Sequence, residues 1–431
     1  MRKLIRNLCF SWLMLFATPV LTAADKKSWP QWRGPLQNGV ASGNQYPTAW
    51  SDDAGITWKI EIPGRGGSTP VVSNGTAYVT SGVDGKNTLI AIDVESGKLT
   101  WQVNLGADTG GKHRKGSGSN PSAVVDGDSV FAYFRSGDLA CVDSTGKVRW
   151  AINIQEMFGA DTLWWDLGSS PTVTDEAVVV AVMQSGPSHL VALDKEKGDL
   201  LWKTDRMLGA PEEAAQSYST PLGVQIDGSK SLAVMGADHL TLHDATTGRE
   251  LGRLGGFNPD QEKYFRSISS PVAEGNVIVC PYARGSTLTA VRMDQLADGK
   301  GDQAIAWFRD DLGSDVPTPA AWQGRVYLVS DGKSSRGTVT CLNLETGKTI
   351  WSTELPKSRT SFSSSPLVAD NHLYVTQEDG KTYVLGPLDK AEPGVVAVNE
   401  VDDAEPFTVA SLVPVGDGFL LRSRSYLYRI K

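Results

Sequence analysis

The chain has 431 residues, and its 41 lysines and arginines against 49 aspartates and glutamates give a formal net charge of −8. Length alone would suggest two or three domains. An acidic chain without a basic tract argues against nucleic acid as a partner.

The first 24 residues have the three parts of a secretory signal peptide. Residues 1–7 are basic, residues 8–21 are mostly apolar, and residues 22–24 are small enough for cleavage. The apolar run is too short to span a membrane, so no transmembrane segment is expected after cleavage. No cysteine follows the cleavage region, so no lipid anchor is expected. The mature chain is predicted to be exported, with the periplasm favoured over secretion.

Residues 25–55 form a predicted N-terminal arm that is rich in proline, glycine and tryptophan. Trp29, Trp32 and Trp50 are expected to pack this arm against the side of the domain that follows. That domain, residues 56–431, is predicted to be a single unit, because an internal repeat overrides the estimate from length.

A Ser/Thr-Pro dipeptide, or a close variant, returns about every fifty residues and opens a short run of β-branched residues. The prolines are Pro70, Pro121, Pro171, Pro221, Pro271, Pro319 and Pro366. In the first unit, Asn74-Gly75 is a hairpin signal because both turn positions need positive φ. The unit divides into four short predicted strands, at 69–73, 76–80, 88–92 and 98–103. Four antiparallel strands per repeat are typical of a propeller blade.

A second repeated element is an Asp/Asn turn that closes on glycine, as in residues 93–97, where the side chain bonds the backbone and Gly supplies the left-handed position. A tryptophan stands four residues beyond that glycine in most repeats, and Gly252 replaces it in the fourth. The predicted docking tryptophans are Trp58, Trp101, Trp150, Trp202, Trp307 and Trp351.

The pattern A-x-D-x-x-T-G-x-x-x-W, seen with small changes in residues 91–101, resembles the tryptophan-docking repeat of the pyrroloquinoline quinone (PQQ)-like β-propellers. Members of that superfamily include quinoprotein alcohol dehydrogenases and the outer-membrane assembly lipoprotein BamB. The segment WPQWRGP at 29–35 is similar to the start of exported bacterial proteins with PQQ-like repeats. The resemblance implies an all-β fold, whereas function varies within one propeller framework.

We predict an eight-bladed β-propeller of four-stranded antiparallel blades. Only three strands remain at the C-terminus, so an N-terminal strand at 56–62, which carries Trp58, is expected to complete the last blade and close the ring. Seven blades remain the alternative if the C-terminal strands pack elsewhere.

The loops that join one predicted blade to the next carry aromatic and basic side chains shortly before each repeat proline, so ring closure should gather them around one channel mouth. Such a face suits sugars, peptides or anionic groups. Its alternative is a set of plugging aromatics and locally paired arginines. The predicted face comprises Arg65, His113, Arg114, Trp164, Trp165, Asp166, Arg206, Tyr218, Tyr264, Arg266, Arg359 and Phe362.

Neither catalytic residues nor a metal site is predicted. His113 has no second ligand at metal-binding spacing, and Cys141, Cys280 and Cys341 each fall in a predicted strand as buried thiols. The quinoprotein resemblance implies PQQ with Ca²⁺ and, commonly, adjacent cysteines over the quinone, but this chain has no Cys-Cys pair.

The sequence therefore favours a non-catalytic, monomeric scaffold or assembly factor that binds an envelope protein or a glycan and needs no cofactor. A PQQ-dependent alcohol or sugar dehydrogenase is the alternative. A secreted carbohydrate-binding module is the second alternative.

Overall fold

The computed structural model describes residues 28–403 and 406–431, and the predicted signal peptide lies outside the described residues. The described chain forms eight antiparallel sheets of four strands each. The first strand along the chain, β1 (Ile56–Glu61), belongs to the last sheet. The sheets are called blades 1 to 8 in chain order.

Each blade takes four consecutive strands, apart from the last. Blade 1 comprises β2 (Val71–Ser73), β3 (Thr76–Val83), β4 (Lys86–Asp93) and β5 (Leu99–Ala107). Blade 2 comprises β6 (Val124–Asp126), β7 (Ser129–Tyr133), β8 (Asp138–Asp143) and β9 (Val148–Asn153). Blade 3 comprises β10 (Thr172–Val173), β11 (Ala177–Val182), β12 (His189–Asp194) and β13 (Leu200–Asp205). Blade 4 comprises β14 (Leu222–Ile226), β15 (Ser229–Gly236), β16 (His239–Asp244) and β17 (Glu250–Leu254).

The second half of the ring repeats this order. Blade 5 comprises β18 (Val272–Glu274), β19 (Val277–Tyr282), β20 (Thr287–Arg292) and β21 (Ile305–Arg309). Blade 6 comprises β22 (Ala320–Trp322), β23 (Arg325–Val329), β24 (Thr338–Asn343) and β25 (Thr349–Glu354). Blade 7 comprises β26 (Leu367–Ala369), β27 (His372–Thr376), β28 (Thr382–Gly386) and β29 (Gly394–Asn399). Blade 8 comprises β30 (Val413–Val415), β31 (Gly418–Arg422), β32 (Tyr426–Ile430) and β1.

Helices are short and lie between strands. They are α1 (Ile154–Phe158), α2 (Met293–Ala297) and the 3-10 turns Glu212–Ala215, Ala283–Gly285 and Gly301–Ala304. The middle strands are buried along most of their length, whereas outer strands such as β13 alternate between exposed and half-buried residues. Burial therefore decreases from the middle strands, which neighbouring blades cover on both faces, to the outer strand, which is partly open to solvent.

Closure of the ring follows the sequence prediction. Strand β1 pairs antiparallel with β32, and Trp58 stands opposite Arg429. The first and last strands of the described chain therefore share one blade, which leaves no open edge between the first and last repeats. The eight-bladed prediction is confirmed, and the seven-bladed alternative is wrong.

Neighbouring blades are joined by tryptophans of the outer strands. The Trp150 indole N–H donates to the Lys195 carbonyl at 2.9 Å, and Trp101 reaches Ser144 in the same way. The ring of Trp150 covers Gly198, where φ is +75° and an added Cβ would lie 2.8 Å from the indole. Glycine is needed there both for the left-handed backbone and for the close approach.

The other outer-strand tryptophans vary this contact. Trp58 and Trp307 donate to carbonyls of the next blade, while the indole nitrogens of Trp202 and Trp351 have no acceptor among the described residues. In blade 4 the backbone of α2 takes the place of an indole, because a Cβ at Gly252 would lie 2.3 Å from the Leu296 carbonyl oxygen.

Residues 29–41 of the N-terminal arm lie across one end of the central channel, whereas Trp50 packs between blades 7 and 8 and its main-chain N–H donates to Asn399 in the outer strand of blade 7. Trp29 exchanges two main-chain hydrogen bonds with Val72 of blade 1, and Ala41 donates to Val368 of blade 7. Between them, the Gln37 side chain bonds Gly223 of blade 4. The arm thus pairs with free inner edges of strands around the ring and covers them.

Candidate functional site

The end of the channel opposite the arm opens into a cavity of about 500 Å³. Five residues of the predicted face line it: His113, Trp165, Asp166, Tyr218 and Arg266. The lining also includes Trp32, which was expected to pack the arm, and Arg284, Asp315 and Asp331, which the sequence analysis did not single out. A volume of this size is within the usual range for small-molecule sites.

An exposed aromatic cluster stands beside this mouth, on the loop between blades 2 and 3 and the loop between blades 4 and 5. The side chains of Trp164, Trp165 and Tyr264 are 44%, 42% and 52% exposed. The rings of Trp164 and Tyr264 lie 6.3 Å apart, and His113 meets Trp165 edge-on at 5.3 Å. We call Trp164, Trp165 and Tyr264 the aromatic cluster.

The aromatic cluster is held in place by polar contacts. The Trp165 indole N–H donates to Glu213 Oε1 at 2.7 Å, and the Trp164 main-chain N–H donates to Gln216 Oε1 at 2.9 Å. Glu213 is 2% exposed and also faces the guanidinium of Arg284 at 3.3 Å. These bonds tie the cluster to a buried carboxylate and fix its orientation before any partner arrives.

Arg266 lines the cavity and also ties together two loops at its mouth. Its two terminal nitrogens bond the two carboxylate oxygens of Asp315 at 2.8 and 2.9 Å, a forked geometry that favours strong pairing. Asp331 in turn accepts the N–H groups of Asp315 and Val316. Burial raises the pKa of Asp331 to about 6.

The loop at 112–116 is fixed from two sides. Asp166 accepts the main-chain N–H groups of Lys112 and His113 at 2.7 and 2.9 Å. Lys115 forms an ion pair with Glu378, so this loop of blade 1 is tied to blade 7 across the mouth. These contacts fix the loop at 112–116 at the mouth of the channel.

The remaining predicted residues do not line the cavity. Arg206 is 1% exposed and donates inside blade 4, to Thr241 Oγ1 and to the carbonyls of Val234 and His239. Phe362 is 1% exposed, and the structure does not bring either of these two side chains to the mouth. Arg65, Arg114 and Arg359 are exposed on the rim, where Arg65 donates to the Arg114 carbonyl at 3.4 Å.

One hydroxyl from each blade forms a closed ring around the channel. Each residue's main-chain N–H donates to the side-chain oxygen of the next at 2.8 to 3.0 Å, and the last returns to the first. All eight hydroxyl residues line the cavity. This hydroxyl belt consists of Thr69, Ser122, Ser170, Thr220, Ser270, Thr318, Ser365 and Ser411.

The belt explains the dipeptide that marks the repeat. In six blades the belt residue stands directly before a proline, while Ser122 follows Pro121 and Ser411 precedes Leu412. The recurrence is visible in the sequence. That each belt oxygen accepts a hydrogen bond from the neighbouring blade is visible only once the ring is closed.

Metal-ligating chemistry is sparse in the described residues. They contain no group of three or more His, Cys, Asp or Glu side chains that could hold a metal ion. The lining carboxylates Asp166, Asp315 and Asp331 are held by backbone N–H groups or by Arg266. Cys141, Cys280 and Cys341 are separate buried thiols whose pKa is raised by burial. No described helix is long and apolar enough to span a bilayer.

A family model and a related protein both indicate the same family. A family model described as outer membrane protein assembly factor BamB matches residues 39–186, 160–300 and 301–413. The outer membrane protein assembly factor BamB of Yersinia pestis is 28% identical over 155 residues, which are 36% of this chain and 37% of that protein.

Solved structures show the same fold at low sequence identity. BamB from Moraxella catarrhalis superposes with a TM-score of 0.61 at 15% identity, covering 87% of this chain and 99% of that one. Quinohemoprotein alcohol dehydrogenase from Comamonas testosteroni gives a TM-score of 0.70 at 13% identity, covering 94% and 81%. Because the family model matches most of the chain, the protein belongs to the PQQ-like propeller family described as outer membrane protein assembly factor BamB.

Proposed function

We propose that this protein is an exported, non-catalytic assembly factor that binds a partner protein of the cell envelope through the aromatic cluster at the channel mouth. The observation that carries the proposal is the exposure of three large aromatic side chains on braced loops. Family membership and the predicted signal peptide support an envelope location, with the periplasm favoured.

The physical argument starts from exposure. An aromatic side chain that stays half exposed on a rigid loop loses little conformational entropy when a partner covers it. Tryptophan, tyrosine and arginine dominate the energetics of protein interfaces, and Arg65, Arg114 and Arg284 lie on the same rim. The rim thus offers apolar anchors flanked by forked donors, which suits a peptide segment with apolar and acidic side chains.

Deletion of the gene and complementation test the proposed role. The deletion is expected to lower the amount of folded outer-membrane β-barrel proteins, measured by heat-modifiable mobility, and the wild-type gene should restore it. A Trp164→Ala, Tyr264→Ala variant should be exported in equal amounts but fail to restore it. Full restoration by that variant would place the function elsewhere on the propeller.

The second candidate, a PQQ-dependent dehydrogenase, is favoured by one observation, the likeness of the fold to that of a quinohemoprotein alcohol dehydrogenase. Against it, the lining carboxylates are already held by N–H groups and by Arg266, so the residues present do not offer the oxygen ligands that Ca²⁺ needs. Calorimetric titration with PQQ and Ca²⁺ tests this candidate, and saturable micromolar binding would support it. A glycan array separates the carbohydrate-binding alternative in the same way.

A further inference from the structure

We propose that the channel holds a second, separate site, in which the hydroxyl belt binds a small oxyanion such as a phosphate or carboxylate ion, and the buried charge of Arg33 beside the belt favours that ion at long range. This site lies below the aromatic cluster and does not depend on the proposed partner. Three features carry the inference: unused donors, a buried charge without a counterion, and an enclosed space.

The first feature is the hydrogen-bonding state of the belt. A Ser or Thr hydroxyl has one donor and two acceptor lone pairs. Each belt oxygen accepts an N–H from the neighbouring blade, as Ser170 Oγ does from Ser122 at 3.0 Å. None of the eight donates to an acceptor among the described residues, although all are at least nine-tenths buried. Buried hydroxyl donors normally find an acceptor, so one is expected inside the channel.

The second feature is Arg33 of the arm, which is buried against the inner strands of blades 6 and 7 and does not itself line the cavity. Its guanidinium is 2% exposed and donates to the carbonyls of Pro366 and Pro319 at 2.5 and 2.7 Å. Those prolines directly follow the belt residues Ser365 and Thr318, so the positive charge lies next to the belt.

That charge is not neutralised by the described part of the protein. Arg33 makes no ion pair there, and its Nε has no hydrogen-bond partner. Burial alone lowers its pKa to about 9, with no contribution from a nearby carboxylate. An isolated buried charge is costly, and an anion in the adjacent channel offsets that cost at long range because the interior screens weakly.

The third feature is the shape of the space. Trp32 lines the cavity on the side of the arm, and the belt surrounds it, so a ligand bound at the belt lies inside the channel. The carboxylates Asp166, Asp315 and Asp331 are already engaged, as described above. An oxyanion fits better than a neutral ligand because its oxygens can accept from O–H donors of the belt while its negative charge offsets the buried charge of Arg33 at long range.

The test is calorimetric titration of the mature protein with inorganic phosphate, with acetate and with glucose, in a buffer whose only other anion is chloride. We expect saturable binding of phosphate or acetate, and the stronger of the two identifies the type of ion. Absence of saturable binding by both ions would overturn the proposal and leave a channel filled with water. Glucose binding as tight as that of the ions would overturn the assignment to anions.

Variants localise the site. Arg33→Gln should weaken ion binding by at least about tenfold, and Thr220→Val, which removes one belt hydroxyl, by about three- to tenfold. Ser169→Ala is the matched control, because Ser169 is buried beside the belt without lining the cavity. Its affinity should stay within about twofold. Unchanged binding by Arg33→Gln, with the melting curve intact, would contradict the proposal.

Discussion

Replacement of Trp150 by alanine tests whether the outer-strand tryptophans hold the blades together. Trp150 belongs to blade 2, but its indole donates to Lys195 and covers Gly198, both in the turn of blade 3. The ring also contacts Phe131 within its own blade at 5.9 Å. Its removal therefore opens the junction between two blades without touching the channel.

The expected cost follows from burial. Trp150 is 8% exposed, so about 200 Å² of side-chain surface is buried, which corresponds to about 5 kcal/mol at about 25 cal/mol per Å². The lost indole hydrogen bond adds about 1 kcal/mol, whereas relaxation of the turn recovers part of the sum. We expect Trp150→Ala to lower the free energy of unfolding by about 4 kcal/mol, within the usual range for core tryptophans.

Urea denaturation followed by circular dichroism measures this change. Trp150→Phe keeps much of the contact and loses the hydrogen bond, so it should cost about 1 to 2 kcal/mol. Trp164→Ala is the control, because that side chain is 44% exposed and should cost no more than about 1 kcal/mol. A Trp150→Ala midpoint equal to that of the control would refute inter-blade packing as a source of stability.

Three further predictions concern the turns and the mouth. Gly198→Ala should cost at least about 1 kcal/mol more than Gly75→Ala in urea denaturation, because both have positive φ but only Gly198 faces an indole ring. Arg266→Ala should cost about 2 to 3 kcal/mol by leaving the partly buried Asp315 unpaired, and a double Arg266→Ala, Asp315→Ala variant should recover at least half of it. Because the pKa of Asp331 is raised in the folded state, the folded protein holds a proton near pH 5 that the unfolded chain has lost. The free energy of unfolding should therefore fall as the pH rises from about 4 to about 6. Asp331→Asn should abolish this part of the pH profile, and an unchanged profile would assign it to other groups.

The sequence predicted the ring itself because its information is local and repeated. Each blade is a unit with hairpin turns, buried middle strands and an outer strand of alternating exposure, and Trp58 in an isolated N-terminal strand identified the partner that closes the ring on β32. The close approach of an indole to Gly198 or Gly347 is likewise encoded by a fixed spacing in the sequence.

The mouth and the arm were harder to predict because non-local contacts position them. Arg206 and Phe362 precede their repeat prolines as the lining residues do, yet both turn inward, and no local signal distinguishes them. The loop that carries Lys115 is held by Glu378, 263 residues away. Arg33 is held beside the belt by carbonyls 286 and 333 residues further along the chain.

The most direct test of the partner-binding account is site-specific photocrosslinking in the native envelope. A benzophenone amino acid at Tyr264, in the aromatic cluster, is compared with one at Val396, which is 51% exposed on the outer strand of blade 7. The account predicts a discrete adduct with one outer-membrane assembly protein at Tyr264, weakened by Trp164→Ala and absent at Val396. No adduct at Tyr264, or the same adduct at both positions, would contradict it.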